Sequence, residues 1–317
     1  MRRPITAFIL AVMLFGIVLP LLIIGINRLK PKTVQGIRGI RVQMPGGKVQ
    51  VLELEEYLAG VVSAEMPAEF SPEALKAQAV AARTYAVSRM SRQGAQDQAC
   101  DVDTTEKTQA WISDAEMRKK WGMLRYLTYK YKVSRAVKDT KGLVLTYEGA
   151  YVQAFFFSSA GRLPTERAED VWGGTLPYLT NVKPEAEEAS RFVVRSAFTA
   201  KDLDSKLGTN LSKKSRLTQA DLTVTEHTAA GRAKTVRIGS KTVPATQLRY
   251  LLGLKSTDFS IQVENNKVVF TTYGNGHAVG MSQYGANALA KQGKTFSEIL
   301  GRYYPGSTIL NIDKPKD

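Results

Sequence analysis

One glutamate stands where an apolar residue is expected. In the run "LEEYLAGVVSAEM", Leu54, Leu58, Val61 and Glu65 fall at i, i+4, i+7 and i+11, a single helix face. Pro67 ends that helix, because proline disfavours helical geometry in the residue before it. A carboxylate at a helix C-terminus meets unfavourable backbone dipoles, and partial burial adds a desolvation cost. Both favour the protonated acid, the form that can protonate a glycosidic oxygen. The same pattern also fits a surface carboxylate at a fraying helix end. Lys76 or Arg83, if near, would favour the charged form again.

Other residue types offer less. The stretch "GNGHAVG" resembles a phosphate cradle only loosely: it lacks the Walker lysine and does not match G-x-G-x-x-G. Its His277 reads either as a base or ligand, or as a loop histidine satisfying backbone groups. Ser158 and Ser159 in "FFFSSAG" follow a strand-like run without the G-x-S-x-G elbow. Asp101 and Asp103 lack calcium-loop spacing. One cysteine, Cys100, excludes an intrachain disulfide, and with only His227 and His277 it leaves too few ligands for a Cys/His zinc cage.

These groups need elements to hold them. "IRVQMPGGKVQVLEL" reads as a hairpin turning at Pro45-Gly46-Gly47, followed by the helix that ends at Glu65. The next helix starts well, with Ser71 as cap, Pro72 in first position and Glu73 at the positive end. Its alanine-rich run "ALKAQAVAARTYA" lets a neighbour approach the backbone closely, along Leu75, Ala79, Ala82 and Ala86. Lys76 and Arg83, seven apart, share an adjoining face. The basic, aromatic stretch Asp114 to Thr140 reads as a solvated face of a helix or strand, with nucleic-acid binding the competing reading. Two more hairpins are expected, turning at Glu148-Gly149 and Asn265-Asn266. Residues 183–259 turn polar, with short strands and a helix at "PATQLRYLLGL", and read as a smaller inserted subdomain. "GHAVGMSQYGANALAKQG" closes the set as a glycine-rich loop entering a helix.

The chain of 317 residues carries 44 basic and 29 acidic residues, a formal net charge of +15. That balance favours an anionic partner: nucleic acid, a membrane surface or an acidic wall polymer. After Arg2 and Arg3, residues 4–27 are uncharged and apolar, long enough for the roughly 20-residue span of a bilayer. The expectation is an uncleaved anchor over 1–30, with residues 31–317 forming the rest of the chain. Charges flank the span on both sides, so they do not fix its orientation.

"VVSAEMPAEFSPEALKAQAVAARTYA" together with "GHAVGMSQYGANALA" resembles the stage II sporulation protein D (SpoIID) family, to which amidase-enhancer proteins are related. "FFFSSAG", "VWGGTLPYL" and the late "YYPG" fit the same family, so the resemblance spans essentially the whole chain. It implies an α+β fold: an N-terminal transmembrane helix, then a mixed helix/sheet catalytic ectodomain whose inserted subdomain forms a cleft. It implies a peptidoglycan lytic transglycosylase that cuts between N-acetylmuramic acid and N-acetylglucosamine in peptide-stripped strands, leaving 1,6-anhydro ends during engulfment in endospore formation. It implies Glu65 as the single general acid and base. It places Lys76, Arg83, Ser159, His277, Gln283 and Tyr284 in substrate binding. The implied location is a single-pass cell-membrane protein with its C-terminal domain outside the cytoplasm, in the mother-cell membrane facing the intermembrane space. The implied partners are glycan strands, an amidase (SpoIIP) and a multi-span membrane protein (SpoIIM), with no nucleic acid. Some relatives carry a His and Cys pair for zinc near "FFFSSAG". Here Phe156 and Phe157 precede Ser158-Ser159 with no cysteine, so no metal and no cofactor are expected. The competing class is a wall-binding scaffold that activates a partner amidase without cutting glycan itself.

Overall fold

The computed structural model describes residues 39–93, 99–105, 108–185 and 192–313. The architecture is α+β, with helices and small sheets mixed along the chain.

β1 (Gly39–Gln43) and β2 (Val49–Glu53) form the first hairpin, turning through Gly46 and Gly47 at positive φ. β2 runs directly into α1 (Leu54–Glu65), which Glu53 caps by accepting from the Glu56 N–H. α2 (Pro72–Gln93) follows and is the axis of the larger core. Ala74, Ala77, Ala79, Ala81, Ala82 and Ala86 are fully buried along it. Small side chains let several elements pack on one helix at once. α1, α3 (Asp114–Asp139), β4 (Leu143–Tyr147), α7 (Gln283–Lys291) and α8 (Phe296–Tyr303) all pack on it. β3 (Val102–Asp103) joins β1 in parallel. α3 starts at a Ser113–Glu116 capping box and kinks at Gly122, whose φ of 71° suits glycine. β4 turns into β5 (Ala150–Tyr151) through Glu148 and Gly149, both at positive φ as a two-residue hairpin turn requires. β14 (Thr308–Asn311) completes that sheet on β4.

β6 (Phe156–Phe157) pairs in parallel with β13 (Met281–Ser282), 125 residues later. Between them come the short α4 (Ala168–Val171) and a second core. That core draws on residues from Leu203 to Phe270. One of its sheets is β8 (Leu222–His227), β9 (Ala233–Ile238) and β10 (Lys241–Pro244). The other has β12 (Lys267–Tyr273) between β11 (Phe259–Glu264) and β7 (Val193–Phe198). α5 (Ala200–Leu207) and α6 (Ala245–Leu252) cover them. β11 and β12, which extend past the expected 183–259 insert, therefore belong to the second core. They turn at Asn265 and Asn266, with φ of 49° and 59°.

Two arginines clamp this core to the main body. Arg232, 1% exposed, donates to the carbonyls of Ala160 (2.8 Å) and Leu163 (3.2 Å) and to that of Pro164, and lies 3.7 Å from the Glu166 carboxylate. Burial raises the pKa of Glu166 above the usual carboxylate range, despite a hydrogen bond from Thr228 and the Arg232 charge. Arg162 donates to Asp258 at 2.9–3.2 Å and stacks over Tyr273.

Two expectations are corrected: the transmembrane helix in the fold class and the single-pass membrane location. Among the described residues no helix is long and apolar enough to cross a membrane, and residues 1–30, on which both rested, lie outside them. α3 is long at 26 residues, but its repeated Lys and Arg make it an amphipathic surface helix.

Candidate active site

Glu65 is the last residue of α1, and extended backbone at Met66 turns the chain away immediately after it. Its carboxylate is half-buried and held from two sides. Oε1 accepts from the Ala110 N–H at 3.1 Å, and Oε2 faces the Gln283 amide nitrogen at 3.5 Å. Gln283 is 3% exposed and opens α7, whose cap is Ser282 accepting from the Gly285 N–H. A helix end and a helix start 218 residues apart in sequence thus meet at one carboxylate.

The segment carrying Ala110 is pinned to α1. The Ile112 N–H donates to the Gly60 carbonyl, and the Nε1 and Cδ1 atoms of the Trp111 indole press close against Gly60. A Cβ on Gly60 would come within 2.1 Å of the Trp111 Nε1, so this approach needs glycine. Lys120, from α3, caps the other side. Its Nζ donates to the carbonyls of Ser63 (2.7 Å) and Ala64 (3.3 Å) at the C-terminal end of α1. Burial lowers the Lys120 pKa, and the charges of Glu65 and Glu69 oppose that shift. Sequence reasoning did not single out Lys120. Its signal was the basic run of α3, where one lysine looks like another until the fold aims it.

Tyr284, beside Gln283, stacks edge-on with Phe70 (4.8 Å) and Phe192 (4.6 Å). Phe70 comes from the loop after Glu65, so Glu65, Gln283 and Tyr284 stand together. The other named residues stand elsewhere. Lys76 pairs with Glu73 (2.8 Å) and Asp139 (3.8 Å). Arg83 is wholly buried: its guanidinium pairs with Glu55 and donates to the Leu143 and Val137 carbonyls, both at 3.2 Å. It ties α1, α2, α3 and β4 into one block. Ser159, 2% exposed, exchanges backbone hydrogen bonds with Asn275, and its hydroxyl accepts from the Gly161 N–H.

His277 has both ring nitrogens on backbone. Nδ1 accepts from the Val279 N–H (3.1 Å), so Nε2 carries the hydrogen and donates to the Phe156 carbonyl (3.0 Å). Burial, helped by the Arg249 charge, pushes its pKa down to about 4 against the pull of that carbonyl. At neutral pH it is an uncharged fixture. The next residue, Ala278, sits at φ 68°, a left-handed conformation that costs an alanine about 1–2 kcal/mol. Its carbonyl accepts from the Glu166 N–H at 2.7 Å, which helps hold it there. Among the described residues, no group of three or more His, Cys, Asp or Glu side chains is placed to hold a metal ion.

The site thus gathers a carboxylate held by the Ala110 N–H and the Gln283 amide, with the Tyr284, Phe70 and Phe192 rings beside Gln283, a set of groups suited to exchanging a proton. Residues 45–147, which include Glu65, Arg83, Ala110 and Lys120, match the SpoIID family of stage II sporulation proteins. Over 268 residues the chain is 41% identical to stage II sporulation protein D of Bacillus subtilis (strain 168), covering 84% of this chain and 76% of that protein. The protein of the same name from Bacillus amyloliquefaciens is 38% identical over the same shares. The chain is also 30% identical over 305 residues to the amidase enhancer of Bacillus subtilis, covering 80% of this chain and 40% of that protein. The chain belongs to the stage II sporulation protein D family.

Proposed function

We propose that this protein is a peptidoglycan lytic transglycosylase that acts during sporulation, with Glu65 as its one acid and base. The observation that carries this reading is the placement of Glu65: a half-buried carboxylate at the end of α1, held by the Ala110 N–H and the Gln283 amide. As the acid, Glu65 gives its proton to the glycosidic oxygen between N-acetylmuramic acid and N-acetylglucosamine as the C1–O bond breaks. As the carboxylate, it takes the proton of the muramic C6 hydroxyl, whose oxygen closes on C1. No water is consumed and a 1,6-anhydro end is left. One carboxylate serves both steps, unlike the paired carboxylates of most glycoside hydrolases.

Gln283 and the Ala110 N–H orient the Glu65 carboxyl, and Lys120 closes the helix end behind it. We assign glycan contact to Gln283 and Tyr284. Lys76, Arg83, Ser159 and His277 become positioning residues, because each is engaged with other protein groups. The substrate strands are those already stripped of stem peptides, and an amidase of the SpoIIP kind, with SpoIIM, makes up the proposed set of partners.

The test is Glu65→Gln, which keeps shape and removes proton transfer. Glycan-strand cleavage should fall at least about a hundredfold, the scale of acid–base catalysis, with glycan binding retained. Near-normal cleavage would place the acid elsewhere. The similarity to an amidase enhancer supports a second reading, a scaffold that stimulates an amidase. Under that reading Glu65→Gln leaves amidase stimulation intact and the wild-type protein cuts no glycan.

A further inference from the structure

A row of aromatic rings runs from Tyr85 to the surface. The Tyr85 ring is 6.5 Å from Phe155, and Phe155 is 4.8 Å from Trp172. The row is continuous with the strand that leads into Gln283, because the Met281 N–H donates to the Phe155 carbonyl at 3.0 Å. Gly280 makes that approach possible: a Cβ there would fall 2.1 Å from the Phe155 oxygen.

Trp172 ends the row and is 50% exposed. Its inner surroundings are fixed by Phe155 and by His277, 5.0 Å between ring centroids. His277 is neutral with both nitrogens engaged, so it backs the indole as a flat ring without charge. The indole is also presented by its chain: α4 ends at it, with the Trp172 N–H on the Ala168 carbonyl, and Gly173 and Gly174 turn away at φ 78° and 81°. A large indole left half in water forgoes hydrophobic stabilisation that burial would supply. Here it is backed by rings on one side and open to solvent on the other. A pyranose ring offers the matching surface, with C–H groups on one face and hydroxyls left free for solvent on its rim.

We propose that Trp172, backed by Phe155 and His277, is a sugar-stacking platform for the same glycan strand that Glu65 cuts. This rests on the proposed glycan substrate and adds a second grip on the strand besides that at the bond it cuts. Long strands should then bind through two contacts and short ones through one.

The experiment uses the full chain carrying Glu65→Gln, so that ligand is not turned over. Its binding to N-acetylchitobiose and N-acetylchitohexaose is measured by calorimetry, with and without Trp172→Ala or Trp172→Phe. Trp172→Ala should weaken hexamer binding about tenfold, leave the dimer unchanged and leave the melting temperature unchanged. Trp172→Phe should recover much of the loss. The hexamer-induced fluorescence change should disappear in both. Equal binding of the hexamer by all three proteins would overturn the platform while leaving the glycan reading standing. So would an equal loss for dimer and hexamer with a lowered melting temperature, which marks a merely structural tryptophan. Failure of the Glu65→Gln parent to bind either glycan would overturn the glycan reading itself and the platform with it.

Discussion

Arg83→Met is the substitution that separates a strut from a substrate contact. Arg83 is 0% exposed, its Nε 3.0 Å from Glu55 Oε1, with two carbonyls completing its partners. Methionine fills similar space but leaves the Glu55 carboxylate and the Leu143 and Val137 carbonyls without their donor. Breaking a buried pair from one side costs about 3–5 kcal/mol. For a chain of this size about 2–4 °C of melting temperature accompanies each kcal/mol, so the main-body transition should fall by roughly 6–20 °C. Thermal melts followed by circular dichroism read this directly. In a Glu55→Gln background the same change should cost much less, because the charge it would strand is already gone, and a double-mutant cycle isolates that coupling. Below the lowered melting temperature, glycan binding per folded molecule should match the parent. An unchanged melting temperature together with lost glycan binding would refute the strut and return Arg83 to the cleft.

Other perturbations test the surrounding frame. His277, held near pKa 4 when folded against an ordinary 6.5, binds fewer protons folded than unfolded. Its contribution is present above pH 6.5 and is lost as pH falls toward 4, up to about 3 kcal/mol, and His277→Gln should flatten that part of a pH series of denaturant melts. Gly60→Ala places a Cβ against the Trp111 indole. It should cost about 1–3 kcal/mol by overpacking and lower cleavage by shifting the Ala110 N–H off Glu65, seen as a change in tryptophan fluorescence and in kcat. Arg232→Met should release the second core from the 160–166 segment. Hydrogen exchange should then quicken in β8–β12 before it does in α2.

Local features were legible because they rest on neighbours in sequence. The two-residue turns at Glu148-Gly149 and Asn265-Asn266 appear where their residue types demand positive φ. α1 stops at Glu65 and α2 begins at Pro72 because apolar periodicity and prolines act within one turn. What was not legible depends on distant packing. Spacing put Lys76 and Arg83 near one another, but only the position of α3 and β4 decides that Arg83 is covered. The meeting of Glu65 with Gln283 follows from β6 pairing with β13, a two-residue contact with no local signature. The kink at Gly122, which gives α3 its two segments, reads in sequence as an ordinary glycine. For His277 the sequence leaves a base or ligand and a backbone-satisfying loop histidine both open, because it does not show that Phe156 and Val279 occupy both its nitrogens.

The central claim is that Glu65 moves a proton twice on one glycan bond and that no water enters. The most direct measurement is mass spectrometry of peptide-stripped glycan strands after incubation with the wild-type chain and with Glu65→Gln. The account predicts new ends lighter by one water than hydrolysis would give, resistant to borohydride reduction, from the wild-type protein and not from the variant. Reducible, hydrated ends, or anhydro ends formed equally by both proteins, would contradict it.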